Sequence, residues 1–215
     1  MPGFFITFEG IDGSGKSTQA RRLAEALKAR GLPVTLTREP GGSEGGEEIR
    51  RLLVEGAPGR WSPVTELLLF NAARRDHLER LVAPRLEAGE IVISDRFADS
   101  TRVYQGAIDP SLRAMAEEIH RLAIGREADL TFLIDTSPDL AARRGRPGRE
   151  DRFEAKGDAF QRRLAAAFRA LAEAEPARIV RIDGNRPADE IADEILRITL
   201  ARLPAPLARK GGGNG

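Results

Sequence analysis

Five short apolar runs punctuate the chain: Phe4-Phe5-Ile6-Thr7-Phe8, Val34 to Thr37, Ile91-Val92-Ile93-Ser94, Leu130 to Ile134 and Ile179 to Ile182. Each is too short for a helix, and the continuous runs suit strands buried on both faces of a parallel sheet. Between them, apolar side chains recur at the three-to-four spacing of helices. Thr18 to Arg30 carries Ala20, Leu23, Ala24 and Leu27 in that rhythm and stops at Gly31. Ser43 to Val54 continues the pattern until Gly56-Ala57-Pro58-Gly59 breaks the chain. Ser62, followed by Pro63 and Glu66, resembles a helix start. The helix it opens is expected to run to about Glu87 and to bury Leu67, Leu68, Phe70, Leu78, Leu81 and Val82. Asp99 to Gly106 reads as a short polar segment. Helices are expected over Pro110 to Ile124, from Ser137-Pro138, over Asp158 to Glu173 and over Pro187 to Leu203. Strands alternating with helices predict an α/β fold, a doubly wound five-stranded parallel sheet flanked by helices.

A chain of 215 residues falls within the range of one domain, expected over residues 1–205, with the Gly-rich residues 206–215 as a disordered tail. With a net charge of +1 the chain has no global attraction for nucleic acid or membrane, so any basic surface must be local. No apolar run approaches the length of a membrane span, and the N-terminus lacks a signal pattern. The chain contains no cysteine, which removes disulfides, thiolate metal sites and thiol nucleophiles. A cytoplasmic location is the expectation.

The chemistry enters where the first strand ends. Gly10-Ile11-Asp12-Gly13-Ser14-Gly15-Lys16-Ser17 fits G-x-x-x-x-G-K-[ST], the phosphate-binding loop pattern, placed between a strand and a helix as that motif requires. Gly10, Gly13 and Gly15 allow backbone angles that turn successive N–H groups, Ser14 included, around phosphate oxygens, and the helix that carries Thr18 adds its positive dipole end. Lys16 can reach the β/γ-phosphates of ATP, and the Ser17 hydroxyl can hold Mg²⁺. The loop alone does not choose among motor, switch and kinase. A guanine-reading N-K-x-D is absent, since no asparagine precedes a lysine. Instead, arginines gather at strand ends and in one Gly- and Pro-containing stretch. Such a surplus suits a second anionic substrate held opposite ATP, because phosphoryl transfer is catalysed mainly by positioning and charge neutralisation.

Several motifs, in order, then carry a resemblance: Phe8-Glu9-Gly10 through Thr18, Thr37-Arg38-Glu39-Pro40-Gly41-Gly42, Leu69-Phe70-Asn71-Ala72-Ala73-Arg74, Ser94-Asp95-Arg96-Phe97 and Ser100-Thr101-Arg102-Val103-Tyr104-Gln105-Gly106. Together these resemble the bacterial thymidylate kinases. The resemblance implies a P-loop NTPase fold of the nucleoside monophosphate kinase type, transfer of the γ-phosphoryl group of ATP to dTMP with Mg²⁺, and a cytoplasmic homodimer. It implies that Arg38 grips the dTMP phosphate, that Phe70 stacks on thymine and that Arg74 donates to base O4. On pattern alone Phe70 fits a plain core position equally well. Asp12 matches an acidic residue near the sugar 3′-hydroxyl and the metal, while Glu9 is expected to orient the loop. Asp95 is implied to hold Mg²⁺ through water and Arg96 to touch the phosphate region, the alternative being a mutual salt bridge. Ser100 or Thr101 is expected to line the base, Tyr104 to pack by its ring against the deoxyribose, and Gln105 to support that wall. Asp183-Gly184-Asn185 lies where the family contacts adenine, or is a plain turn.

The stretch Arg143 to Glu154 reads as an exposed mobile loop, a lid over about residues 142–154. The phosphate loop carries Gly13-Ser14 where some relatives place a basic residue, so Arg143, Arg146 and Arg149 are expected to supply that charge, Arg149 foremost at the γ-phosphate and then Arg146. His77 and His120, on helices among charged neighbours, are expected to be ordinary surface residues.

Overall fold

A computed structural model describes residues 3–57, 59–144, 157–205 and 207. Five parallel strands, β1 (Phe4–Glu9), β2 (Val34–Arg38), β3 (Ile91–Asp95), β4 (Leu130–Asp135) and β5 (Ile179–Asp183), form one sheet in the order β2-β3-β1-β4-β5. The helices are α1 (Lys16–Lys28), α2 (Glu44–Val54), α3 (Pro63–His77), α4 (Ala83–Glu87), α5 (Ala98–Ile108), α6 (Pro110–Ile119), α7 (Pro138–Arg144), α8 (Asp158–Ala174) and α9 (Ala188–Arg202). The doubly wound parallel sheet expected from the apolar runs is present.

Strand side chains alternate between two covered faces, which is why the runs lack a polar side. Phe4, Ile6 and Phe8 of β1 pack with Ile91, Ile93 and Phe132 against Leu23 and Leu27 of α1 and Ile191 and Ile195 of α9. Phe5 and Val92 face the other way, toward Phe97, Leu78 and Val82, and the Phe5 ring meets Phe97 edge-on at 4.9 Å. Truncating a fully buried phenylalanine of this kind costs about 3–5 kcal/mol. Ser43 and Ser62 cap α2 and α3 by accepting from the N–H of Gly46 and Thr65. The predicted helix from Pro63 to Glu87 is continuous in direction but passes through a π-turn at Leu78–Val82.

Two expectations are corrected. The segment read as short and polar is the helix α5, eleven residues long, and its Asp99, Thr101, Arg102 and Gln105 are buried. Leu68, expected in the core, is 53% exposed. Of the expected tail, residue 206 and residues 208–215 lie outside the described residues, and Leu207 is buried against the α1/α9 core.

Parallel pairing aligns the strand ends that carry the chemistry. Arg38 stands opposite Asp95, and Asp95 opposite Phe8, just before the phosphate loop. Ligands in open α/β sheets bind at this carboxyl edge, where strand order reverses around β1.

Candidate active site

The phosphate loop leaves β1 with Gly10, Gly13 and Gly15 at φ 141°, 76° and 97°, which side chains disfavour. Thr136, just beyond β4, donates to the Ser14 carbonyl at 3.0 Å and fixes the loop from below. Lys16 starts α1, is buried, and donates to the Ile11 carbonyl at 3.2 Å and to Asp12 Oδ1 at 3.3 Å. Ser17 and Thr18 are exposed in the first turn.

A cavity of about 320 Å³ opens in front of this loop. Pockets that bury small ligands start near this size, about 300–1,000 Å³. Asp12, Lys16 and Ser17 form its floor, Arg38 and Asp95 one rim, and Phe70 and Arg74 the wall supplied by α3. Ser100, Thr101, Tyr104 and Gln105 of α5 close it on the far side, with Arg96 between. Residues scattered over 94 positions of sequence, from Asp12 to Gln105, thus meet around one space. Five cationic side chains line it against three acidic ones.

Asp12 is the hub of the floor. It pairs with Arg96, takes the Lys16 ammonium, and accepts from the Tyr104 hydroxyl at 3.0 Å. Burial alone pushes its carboxyl up, but the Arg96 and Lys16 charges outweigh that and hold it well below the usual carboxylate range. Burial, with Asp12 adding, raises the Tyr104 phenol against the pull of Arg96, so the hydroxyl keeps its proton as a donor. Arg96 adopts φ 73°, a strained backbone for a non-glycine. Its Nη1 donates to Ser100 Oγ at 2.7 Å and to the Gly10 carbonyl at 3.2 Å, and its Nη2 serves Asp12 and Tyr104. The alternative reading of Asp95 and Arg96 as a mutual salt bridge is not what the described residues show, because the ion pair of Arg96 is with Asp12.

The expectation for Glu9 also shifts. Its carboxylate accepts from the N–H groups of Phe97 and Ser100 and the Ser100 hydroxyl, so it caps the start of α5 rather than bracing the phosphate loop. A helix N-terminus with unsatisfied donors is where such an anion belongs. Burial, reinforced by the Asp99 carboxylate and opposed by Arg96, pushes Glu9 up to about 7.

Arg74 is buried: Nε donates to Glu39 Oε2 at 2.8 Å and Nη2 to Thr101 Oγ1 at 2.8 Å and the Phe97 carbonyl at 3.1 Å. Phe70, one turn earlier, is half-buried with its ring on the cavity. Gln105 is fully buried, and both polar atoms of its amide lack a protein partner among the described residues. Buried amides are normally satisfied, so this one points to a polar group absent from the chain itself. Arg38 is half-exposed, and its Nη2 donates to both oxygens of Glu47. Near the opposite end of the carboxyl edge, Asn185 accepts from the Ser137 N–H and Arg144 donates to the Gly184 carbonyl, an ordered turn at the foot of α7. Arg143 is exposed at the end of α7, and Arg146 and Arg149 lie outside the described residues.

A family model described as thymidylate kinase matches residues 8–195. The chain belongs to the thymidylate kinase family. A thymidylate kinase from Dinoroseobacter shibae is 64% identical over 94% of this chain and 99% of that protein. One from Ruegeria pomeroyi is 57% identical over 94% of this chain and 96% of that protein. The crystal structure of thymidylate kinase from Ehrlichia chaffeensis superposes with a TM-score of 0.73 at 35% identity, covering 92% of this chain and 98% of that one. Family membership therefore rests on nearly the whole length.

Within this family member, the donor set suits a hard divalent cation. Asp95 Oδ1 is buried without a hydrogen-bond partner among the described residues, and Asp95 and Ser17 both border the cavity. No group of three or more acidic or histidine side chains among the described residues can hold a metal alone. A Mg²⁺ here must complete its shell with nucleotide oxygens and water, as that ion prefers.

Sequence reasoning missed the parts played by Arg50 and Glu39 and the burial of both histidines. Arg50 of α2 lines the cavity and donates to the Pro40 carbonyl at 2.7 Å. Glu39, inside a motif already singled out, is buried on Arg74 and His77. His77 and His120 are not surface residues, being 0% and 7% exposed. His77 lies three residues beyond Arg74 and seven beyond Phe70, a helical spacing that could have placed it on the same face.

Proposed function

We propose that the chain transfers the γ-phosphoryl group of ATP to dTMP, giving dTDP and ADP, in the cytoplasm. The observation that carries this reading is the cavity itself, which joins Lys16 and Ser17 of the phosphate loop to a slot bounded by Phe70, Arg74 and Gln105. An acceptor seated there has its ring against Phe70, with guanidinium and amide groups at the base edge and its phosphate toward Arg38 and Arg50. Asp12, held ionised, receives the sugar hydroxyl, and the Tyr104 ring fills the space a 2′-hydroxyl needs. Ser100 and Thr101 line the base side. The phosphate loop, with Gly10, Gly13, Ser14, Gly15 and Thr18 around Lys16, holds the ATP phosphates. Asp95 and Ser17 are the residues for Mg²⁺, which when bound neutralises charge on the transferred phosphoryl group and its neighbours. Arg96 keeps Asp12 in place at the junction of the two substrates. Arg143, Arg146 and Arg149 add positive charge from the lid, in keeping with a phosphate loop whose one cation is Lys16.

The acceptor assay tests the reading. ADP release with dTMP is expected to exceed that with thymidine, dUMP or purine monophosphates; higher activity with thymidine than with dTMP would sink it. Arg149→Ala and Lys16→Ala are each expected to lower kcat by about 100-fold or more. Arg38→Ala is expected chiefly to raise the KM for dTMP.

The active unit is proposed to be a homodimer. Exposed apolar side chains stand on two neighbouring helical segments, Val64 and Leu68 on α3 and Met115 and Leu122 on α6 and the π-turn that extends it, His120–Ile124. Residues four and seven apart share a helix face, so each pair presents one apolar side.

A further inference from the structure

Glu39 is enclosed where β2 ends, its side chain 4% exposed, with one carboxylate oxygen committed to each of two partners. Oε2 accepts from Arg74 Nε at 2.8 Å, and Oε1 faces His77 Nδ1 at 2.9 Å. The carboxylate is ionised: burial opposes that form, but the Arg74 charge and the His77 contact hold its pKa below the usual value. An ionised carboxylate only accepts, so His77 Nδ1 carries the proton in this pair. The other ring nitrogen, Nε2, meets Thr37 Oγ1 at 2.8 Å. The ring lies close against the chain at Gly42, where an added Cβ would stand 2.6 Å from Nε2 and 2.5 Å from Thr37 Oγ1. Glu39 thus fixes Nε of Arg74, while Phe97 and Thr101 fix Nη2. Nη1 alone of the guanidinium nitrogens has no protein partner among the described residues, on a side chain that lines the cavity.

We propose that His77 is a positioning residue for base selection. It holds Glu39, Glu39 holds Arg74, and the two N–H groups of Nη1 are thereby aimed at the acceptor base. Two donors fixed at that edge favour a pyrimidine with a carbonyl at position 4 over one with an amino group there. The inference rests on the reading of Arg74 as a base contact. It explains why a strand end that carries a phosphate-side arginine is tied to a helix on the base side: Thr37 and His77 join the two.

The test compares kcat/KM for dTMP and dCMP in single variants. An asparagine amide sits where Nδ1 was and keeps a donor for Glu39, whereas a glutamine amide reaches the Nε2 position and abandons it. His77→Gln is expected to raise the KM for dTMP about tenfold, to leave the KM for ATP within twofold, and to narrow the dTMP over dCMP preference about tenfold. His77→Asn is expected to keep most of that preference. Equal changes in both KM values, or an unaltered dTMP to dCMP ratio in folded His77→Gln, would overturn the proposal and leave His77 a structural residue. Should His77→Gln not fold, Thr37→Val frees the other side of the ring, and an unchanged ratio there overturns it as well. Arg74→Ala separates the two levels. If that variant leaves dTMP kinetics and preference intact, the acceptor reading has failed; if it abolishes the preference while His77→Gln does not touch it, only the role of His77 has failed.

Discussion

Tyr104 sets its ring edge-on to Phe168, with centroids 6.2 Å apart, while its hydroxyl ends on Asp12. Ring and hydroxyl therefore have separable duties. Tyr104→Phe removes a hydrogen bond to an ionised group, worth about 1.5–3 kcal/mol, and is expected to lower the melting temperature while keeping discrimination against the ribose counterpart of dTMP. Tyr104→Ala is expected to lose that discrimination, read as the ratio of kcat/KM values for the two sugars. Glu9 supplies a pH signature. Its folded pKa of about 7 exceeds the 4.5 of the unfolded chain, so the folded form binds the extra proton between those values. Stability from this group is complete below about pH 4.5 and is lost as pH rises toward and past 7. Urea titrations from pH 5 to 8 should show the wild type losing about 1–3 kcal/mol relative to Glu9→Gln; parallel curves would remove Glu9 as the cause. At this scale the sequence revealed the phosphate loop, because its pattern is local, while only the family resemblance singled out Phe70 and Arg74, which line the cavity. The sequence hid the burial of His77, since Arg75, Asp76, Glu79 and Arg80 around it imply solvent and its partner Glu39 lies 38 positions away.

Helix α5 shows why an element was harder to read than a residue. Its buried face is polar: Arg102 pairs with Asp99, Glu117 and Glu127, and Asp99 also binds Arg178. Periodicity rules look for an apolar stripe, and this helix buries charge that is neutralised within itself and by three other segments of chain. The apolar strands and the α1 stripe, by contrast, followed their patterns closely. Packing between elements also yields a prediction at Gly13. An added Cβ there would stand 2.1 Å from the Ala141 carbonyl of α7, and the φ of 76° is itself costly for alanine, about 1–2 kcal/mol. Gly13→Ala is expected to push α7, which leads into the proposed lid, off the phosphate loop. Calorimetry should find ATP binding weakened at least tenfold with dTMP binding retained; undiminished ATP affinity would show that loop and helix are not coupled.

For the whole molecule, the carboxyl edge of the sheet gathers one cavity from β2, β3, α1, α2, α3 and α5, and nothing in the local sequence announces that α2 contributes Arg50. The outer surface carries its own expectation. Leu68→Glu combined with Leu122→Glu should convert a dimer to a monomer in sedimentation velocity, with the single-subunit fold preserved by circular dichroism. An unchanged sedimentation coefficient would place the interface elsewhere.

The most direct measurement is a crystal structure of the protein with dTMP and a non-hydrolysable ATP analogue bound together. Thymine is expected against Phe70 with its O4 at Arg74, its 5′-phosphate between Arg38 and the terminal phosphate held by Lys16. Density for dTMP outside this cavity, or with its phosphate turned away from Lys16, would contradict the account.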